Sequence, residues 1–217
     1  MLLGTFLTAP AGEHGMSLWQ LLQAGGGTMI LLLLLSVVGL SFVVYFFLYY
    51  REERLVPEAF AREVIEKLAA RNYAAARETA AEREDIVARV VTAGLDRSAR
   101  GGAAMREAAE VTAKLEVSKL WENLSYLSDI AVIAPLIGLL GTVFGMIQSF
   151  NVIAFQTAAA KPVLLAGGIA KAMVATAGGL IIAIPASIFY SVFRSRIFKI
   201  TGKIETYVGE ILNLLKD

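Results

Sequence analysis

The hydrophobic positions of this 217-residue chain fall into three long runs, with one strongly charged region between the first and the second. The first run, Thr28 to Tyr50 ("TMILLLLLSVVGLSFVVYFFLYY"), has no charged residue and closes on Tyr45, Tyr49 and Tyr50 before Arg51. The second, Ile130 to Ala160, is also uncharged, and the third, Leu164 to Phe193, contains only Lys171. At about 1.5 Å per helical residue, each is long enough to cross a hydrocarbon layer of roughly 30 Å. The pattern predicts three spanning helices at 28–50, 129–151 and 164–193, with 152–163 as a short loop between the last two. The first span is apolar around its whole circumference and is expected to face lipid.

Between the first two spans, residues 51–128 are rich in charges of both signs, with Ala-rich stretches broken only at Pro57, Gly94, Gly101 and Gly102. This predicts a soluble helical domain. Phe60, Val64 and Leu68 are spaced i, i+4, i+8, and Met105, Thr112, Leu115, Leu120, Leu124 and Leu127 form a looser stripe, the spacing of core-facing helix sides. No breaker lies between Ala103 and Ala134, so one helix is expected to run into the membrane for about 45 Å before Pro135, which lacks an N–H and is expected to kink it. The tail, 194–217, is amphipathic through Ile197, Ile200, Ile204, Val208, Ile211 and Leu215 and is expected to pack on the soluble helices. In residues 1–27, "SLWQLLQAGGG" predicts a short interfacial helix with Trp19 at headgroup level. The positive segment that opens a cleaved signal peptide is missing there.

Lys and Arg placement orients the chain. Arg51 and Arg54 follow the first span, Lys114 and Lys119 precede the second, and Arg194, Arg196, Lys199 and Lys203 follow the third, with only Lys161 opposite them. The positive-inside rule puts the amino terminus outside, and 51–128 and 194–217 in the cytoplasm.

Composition narrows the function. The chain is 57% hydrophobic and 18% charged, with a mean hydropathy of +0.64, which is a membrane protein's balance. The net charge of +1 is spread through mixed-sign segments, so no nucleic-acid partner is implied. There is no cysteine and one histidine, His14, so neither a disulfide nor a thiolate or histidine metal centre is expected. No phosphate-cradling or metallohydrolase motif occurs. The reading is a non-enzyme without cofactor or metal.

The second span carries small residues at steps of three or four: Ala131, Ala134, Gly138, Gly141, Thr142, Gly145 and Ser149, with Gly179 and Ala183 on the third span. In lipid, faces of this kind let helices approach closely, so they read as helix-packing or pore-forming faces. The segments "APLIGLLGTVFGM" (134–146) and "GGIAKAMVATAGGLIIAIPASIFY" (167–190) together resemble the signature pair of the ExbB/TolQ/MotA proton-channel family, the ExbB and TolQ branch most of all. The resemblance implies an all-α membrane protein with three transmembrane helices and a helical cytoplasmic domain. Helices two and three would line a central pore in a homopentamer in the bacterial inner membrane. It further implies an ExbD/TolR-like single-pass partner carrying a transmembrane Asp, and allows a TonB/TolA-like transducer. The implied function is conversion of proton-motive force into mechanical work for energised transport or envelope processes. A structural membrane scaffold and a stator of a gliding or flagellar-type motor are the alternatives.

Asp129 opens the second span at its cytoplasmic edge, but the runs 28–50, 130–160 and 164–193 contain no carboxylate, the usual intramembrane proton carrier, so under this resemblance the acid comes from the partner. Thr142 and Thr176 fall where the family places pore-facing threonines. A hydroxyl both donates and accepts, so a ring of them could orient a partner carboxylate; the competing reading is a threonine bonded to its own helix. Lys171 departs from the family, standing where ExbB and TolQ carry the Glu of Gly-Ile-Ala-Glu. Either it brackets the uncharged run 172–193 with Arg194 and snorkels to the outer surface, or it points inward and pairs with a carboxylate.

Overall fold

Twenty-three consecutive apolar or small residues leave no break for the backbone, and they form helix α1, Gly27–Tyr49. The structure, a computed structural model, describes residues 26–154 and 161–215. The interfacial helix expected within 1–27 lies outside the described residues, as does the middle of the loop expected at 152–163. After α1 come four short helices, α2 (Glu52–Leu55), α3 (Glu58–Ala69), α4 (Tyr73–Ala81) and α5 (Ile86–Leu95), a 3₁₀ turn at Ser98–Arg100, and two long helices, α6 (Gly102–Ala154) and α7 (Lys161–Leu214). Every described element is helical, and α1, α6 and α7 are each long and apolar enough to cross a membrane.

The described residues pack as two compact units, 35–134 with 181–215, and 26–34 with 135–154 and 161–180. The larger unit holds the main core. Asn72 and Asp85 begin α4 and α5 by accepting hydrogen bonds from the Ala75 and Ala88 amides at 3.1 Å, which satisfies amides that a helix start leaves unpaired. Gly101, with φ of +90°, supplies the left-handed turn that releases the chain into α6. Phe60, Val64 and Leu68 of α3 are buried with most of α5, and against them lie Ile197, Ile200, Ile204, Val208, Ile211 and Leu215 from the α7 end of the chain. Where α1 leaves its apolar run, an aromatic cluster fixes it. Phe46 stacks on Tyr50 at 4.9 Å and meets the edge of Phe193 at 5.4 Å, and the Tyr50 hydroxyl donates to the Leu120 carbonyl at 3.1 Å. Arg196 lies over the Phe47 ring at 5.2 Å, the cation at the end of an apolar run meeting an aromatic face.

α6 continues through Pro135 as one helix, α7 does so through Pro185, and residues 194–214 continue α7 without a break. Other details differ from the sequence reading. Gly94 stands one residue before the end of α5 and is also a packing position: a methyl there would lie 3.2 Å from the Met105 carbonyl oxygen and 3.2 Å from a Leu215 methyl. Leu115 is 56% exposed, and the buried stripe of α6 runs instead through Met105, Ala109, Ala113, Leu120, Leu124 and Leu127, since small alanines can share the core side where the helix lies close to its neighbours. α1 is not uniformly lipid-facing either. Leu32, Val43 and Phe46 are buried, Met29, Leu35, Phe42 and Tyr49 are half-buried, and the other large side chains of the helix are exposed.

Lys203 clasps the short helices to α7, with its ammonium 2.7 Å from Glu58 Oε1 and 2.9 Å from Glu52 Oε2. The hydrogen bond and charge of Lys203 hold the Glu58 carboxyl below its ordinary value, and the bonds to Glu58 and then Glu52 push the Lys203 ammonium up. A lowered carboxylate stabilises the fold above its unfolded value and is lost as pH falls through the lowered one. A raised ammonium stabilises below its unfolded value and is lost as pH rises through the raised one. The clasp is therefore complete at neutral pH. Lys203→Met should lower the melting temperature slightly at pH 7, an exposed pair being weak, and the difference from wild type should close as pH drops below 4.5, the ordinary carboxylate value. Melting curves of the purified protein at the two pH values check this.

Candidate ion pathway

The smaller unit is built on a seam of glycine and alanine between α6 and α7. A methyl on Gly138 would sit 2.8 Å from the Ala175 carbonyl oxygen and 2.9 Å from Thr176 Cα. On Gly141 it would sit 2.5 Å from the Ala175 methyl, and on Gly145 2.7 Å from the Ala172 methyl; on Gly168 it would run into the Ser149 hydroxyl. Positions 138, 141, 145 and 149 therefore face 175, 172 and 168 in an antiparallel pair. Such spacing is what close approach of two backbones in lipid requires. Gly179 is buried on the same side of α7; Ala134 and Ala183 are buried, and Ala131 half-buried, in the other unit.

α1 lies along one flank of this pair. A methyl on Gly141 would come within 2.8 Å of the Thr28 hydroxyl oxygen, and one on Gly178 within 3.3 Å of the Met29 sulfur and 3.6 Å of Leu32. Successive residues turn about 100° around a helix. Thr176, two residues before Gly178, is therefore roughly opposite α1. Thr142 and Thr176 each stand four residues after a seam position, Gly138 and Ala172, so each is turned about 40° in the same sense. In an antiparallel pair, equal turns from facing positions come out on one side, so both threonines lie on the flank that α1 leaves uncovered.

Their hydroxyls differ. Thr142 Oγ1 donates to the Leu139 carbonyl at 2.7 Å, within its own helix, as the Ser149 hydroxyl does to Gly145 at 2.7 Å. Thr176 Oγ1 is buried and has no hydrogen-bond partner among the described residues. Lys171 is exposed, with no ion pair to any described residue. Among the described residues, no three His, Cys, Asp or Glu side chains gather as a metal site would need. The α7 half of the seam, Gly168, Ala172 and Ala175, and the α1 contact at Gly178 were not singled out from sequence. The signal was present in "GGIAKAMVATAGGL", whose small residues at 168, 172, 175 and 179 follow the same steps as those of α6.

An all-helical membrane protein with three apolar spans, two of them joined along a glycine seam with hydroxyls on one flank, is the class these features define. The family model for the MotA/TolQ/ExbB proton channel family matches residues 82–206, more than half of the chain, and the chain belongs to that family. It is 42% identical over 86 residues to the biopolymer transport protein ExbB of Salmonella typhimurium, a match covering 40% of this chain and 33% of that protein. It is 37% identical over 108 residues to the Tol-Pal system protein TolQ of Pseudomonas aeruginosa, covering 50% and 46%. It is 50% identical over 64 residues to the biopolymer transport protein exbB1 of Vibrio cholerae, covering 30% and 28%. The matched stretch spans less than half the length of each of these relatives.

The seam makes a direct prediction. Gly138→Ala forces two backbones apart and should destabilise the protein by about 1–3 kcal/mol, the usual cost of overpacking. Gly167→Ala, where a methyl meets nothing within 4 Å, should be neutral or slightly stabilising. Thermal melting of both variants in detergent, side by side, reads the difference.

Proposed function

We propose that this chain is the channel subunit of a proton-driven energy-transducing complex, assembled as a homopentamer in the bacterial inner membrane around an ExbD/TolR-like single-pass partner. In this reading, residues 1–27 and the loop near 152–163 lie outside, the spans are 28–50, 129–151 and 164–193, and 51–128 and 194–217 are cytoplasmic. The proton carrier is an Asp on the partner, since beyond Asp129 at the cytoplasmic edge of the second span the spans supply hydroxyls and no acid. A TonB/TolA-like transducer would carry the work outward.

The observation that supports this best is the shared flank of Thr142 and Thr176, with the Thr176 hydroxyl buried and unpartnered. A buried hydroxyl without a partner forfeits about 1–3 kcal/mol, so a chain that keeps one gains from it elsewhere. A carboxylate passing along that flank offers the missing acceptor. Repeated around a ring, the threonines give the passage polarity without fixed charge.

Thr176→Val should leave the melting temperature unchanged or raise it, because an orphaned polar atom is removed at constant shape. Thr142→Val with Thr176→Val should lower proton flux, measured in vesicles holding the complex with its partner, by about tenfold, the factor for ~1.4 kcal/mol of lost hydrogen bonding at the barrier. Full flux in an assembled double variant would remove these hydroxyls from the mechanism. Purification without any acid-bearing single-span companion would remove the borrowed carboxylate.

A further inference from the structure

Lys171 carries the one charge inside the third apolar run, and the packing of α1 fixes which way it faces. It stands seven residues before Gly178. Seven steps of about 100° return to within about 20° of the starting direction, so Lys171 shares the flank on which Gly178 meets Met29 and Leu32. Thr176 is five residues from Lys171, about 140° away around α7. The cation and the hydroxyl are on different sides of the helix.

Depth follows from the same contacts. Gly141 approaches both Ala175 and Thr28, so Ala175 lies level with the first turn of α1. Lys171 is four residues, about 6 Å, further toward the start of α7, beyond the level at which α1 begins. From Ala172 to Phe193 the helix is uncharged for about 33 Å, which fills the hydrocarbon and leaves Lys171 at its rim. The first turns of α1 below it expose Ile30, Leu31, Leu33 and Leu34, the surface of a helix side that meets acyl chains. Lys171 is itself exposed and makes no ion pair with a described residue.

We propose that Lys171 is a lipid-phosphate anchor on the α1 flank of α7, holding the third span at its depth, and is not part of the ion passage. The first half rests on the three-helix packing alone; the second rests on the threonine flank proposed above as the passage. The four-carbon stem lies along apolar surface while the ammonium reaches the phosphate of a headgroup. The charge at this family position then bears on where the helix sits, and the passage stays neutral.

The chain has no cysteine, so a single one can be placed at will. In the native complex reconstituted in vesicles, a bimane fluorophore on Lys171→Cys should be quenched by nitroxide carried on phospholipid headgroups, and one on Thr176→Cys should be protected. Protection at 171 equal to that at 176 overturns the assignment. Quenching at both sites leaves Lys171 where it is placed and removes the passage from the Thr176 flank, so the two proposals fail separately. The preference of the wild-type complex for spin-labelled phosphatidylglycerol over phosphatidylcholine should fall about fivefold in Lys171→Gln, the factor expected for one surface cation, and persist in Lys171→Arg. Inorganic phosphate should not compete with the lipid. Competition would make this a site for free anions and overturn the lipid assignment, as would an unchanged preference in Lys171→Gln.

Discussion

The close approach of two backbones between α6 and α7 governs everything else in the smaller unit. At Gly138 and Gly145 the neighbouring helix occupies the space a side chain would need, so no residue with a Cβ fits without moving a helix. Glycine weakens a helix by about 1 kcal/mol relative to alanine, and four glycines within or facing one seam would be a liability in water. In lipid the balance differs. No hydrophobic force presses helices together, the backbone cannot trade its hydrogen bonds for water, and dispersion across a tight seam holds the pair.

Because the smallest residues are spent on this contact, the chemistry is displaced to the flanks. One flank receives α1. The other keeps Thr142 and Thr176, each one helical turn beyond a seam residue. Thr142 turns its hydroxyl into its own helix at 2.7 Å, an interaction that costs little and can be exchanged. Thr176 has no such partner among the described residues. Under the function proposed above, a satisfied and an unsatisfied hydroxyl on one edge would accept from or donate to a passing acid while keeping a buried charge, expensive in hydrocarbon, off this chain.

Much of this was legible in residue order, and the exceptions share a cause. The three apolar runs and the stripe Phe60, Val64, Leu68 depend on local periodicity, which sequence displays directly. The stripe of α6 was read with Leu115 in it and without Ala109 and Ala113, because hydrophobicity was weighed without distance: alanine is the inward residue where helices pack closely, and leucine then turns outward. Gly94, one residue before α5 ends, was read only as a stop, and its packing role was missed for the same reason. A glycine is a break when the backbone needs its freedom, as at Gly101 with φ of +90°, and a packing residue when a neighbour needs its lack of a side chain. Only tertiary context separates the two.

The same distinction decides what a change of charge means at Lys171. Read along the chain, a cation standing a few residues before a pore-type threonine looks like a change to the pore. On a helix, neighbourhood is angular. Five residues separate Lys171 from Thr176 and carry it about 140° around the axis, while seven separate it from Gly178 and bring it back almost into line. The position of α1, fixed by Thr28 on Gly141 and by Met29 and Leu32 on Gly178, then gives that direction a physical meaning, because it marks the side of the pair that a third apolar helix already covers. A residue can sit inside a family motif by its place in the chain and outside the passage by its angle, and its charge is then constrained by the membrane surface and not by the permeating ion.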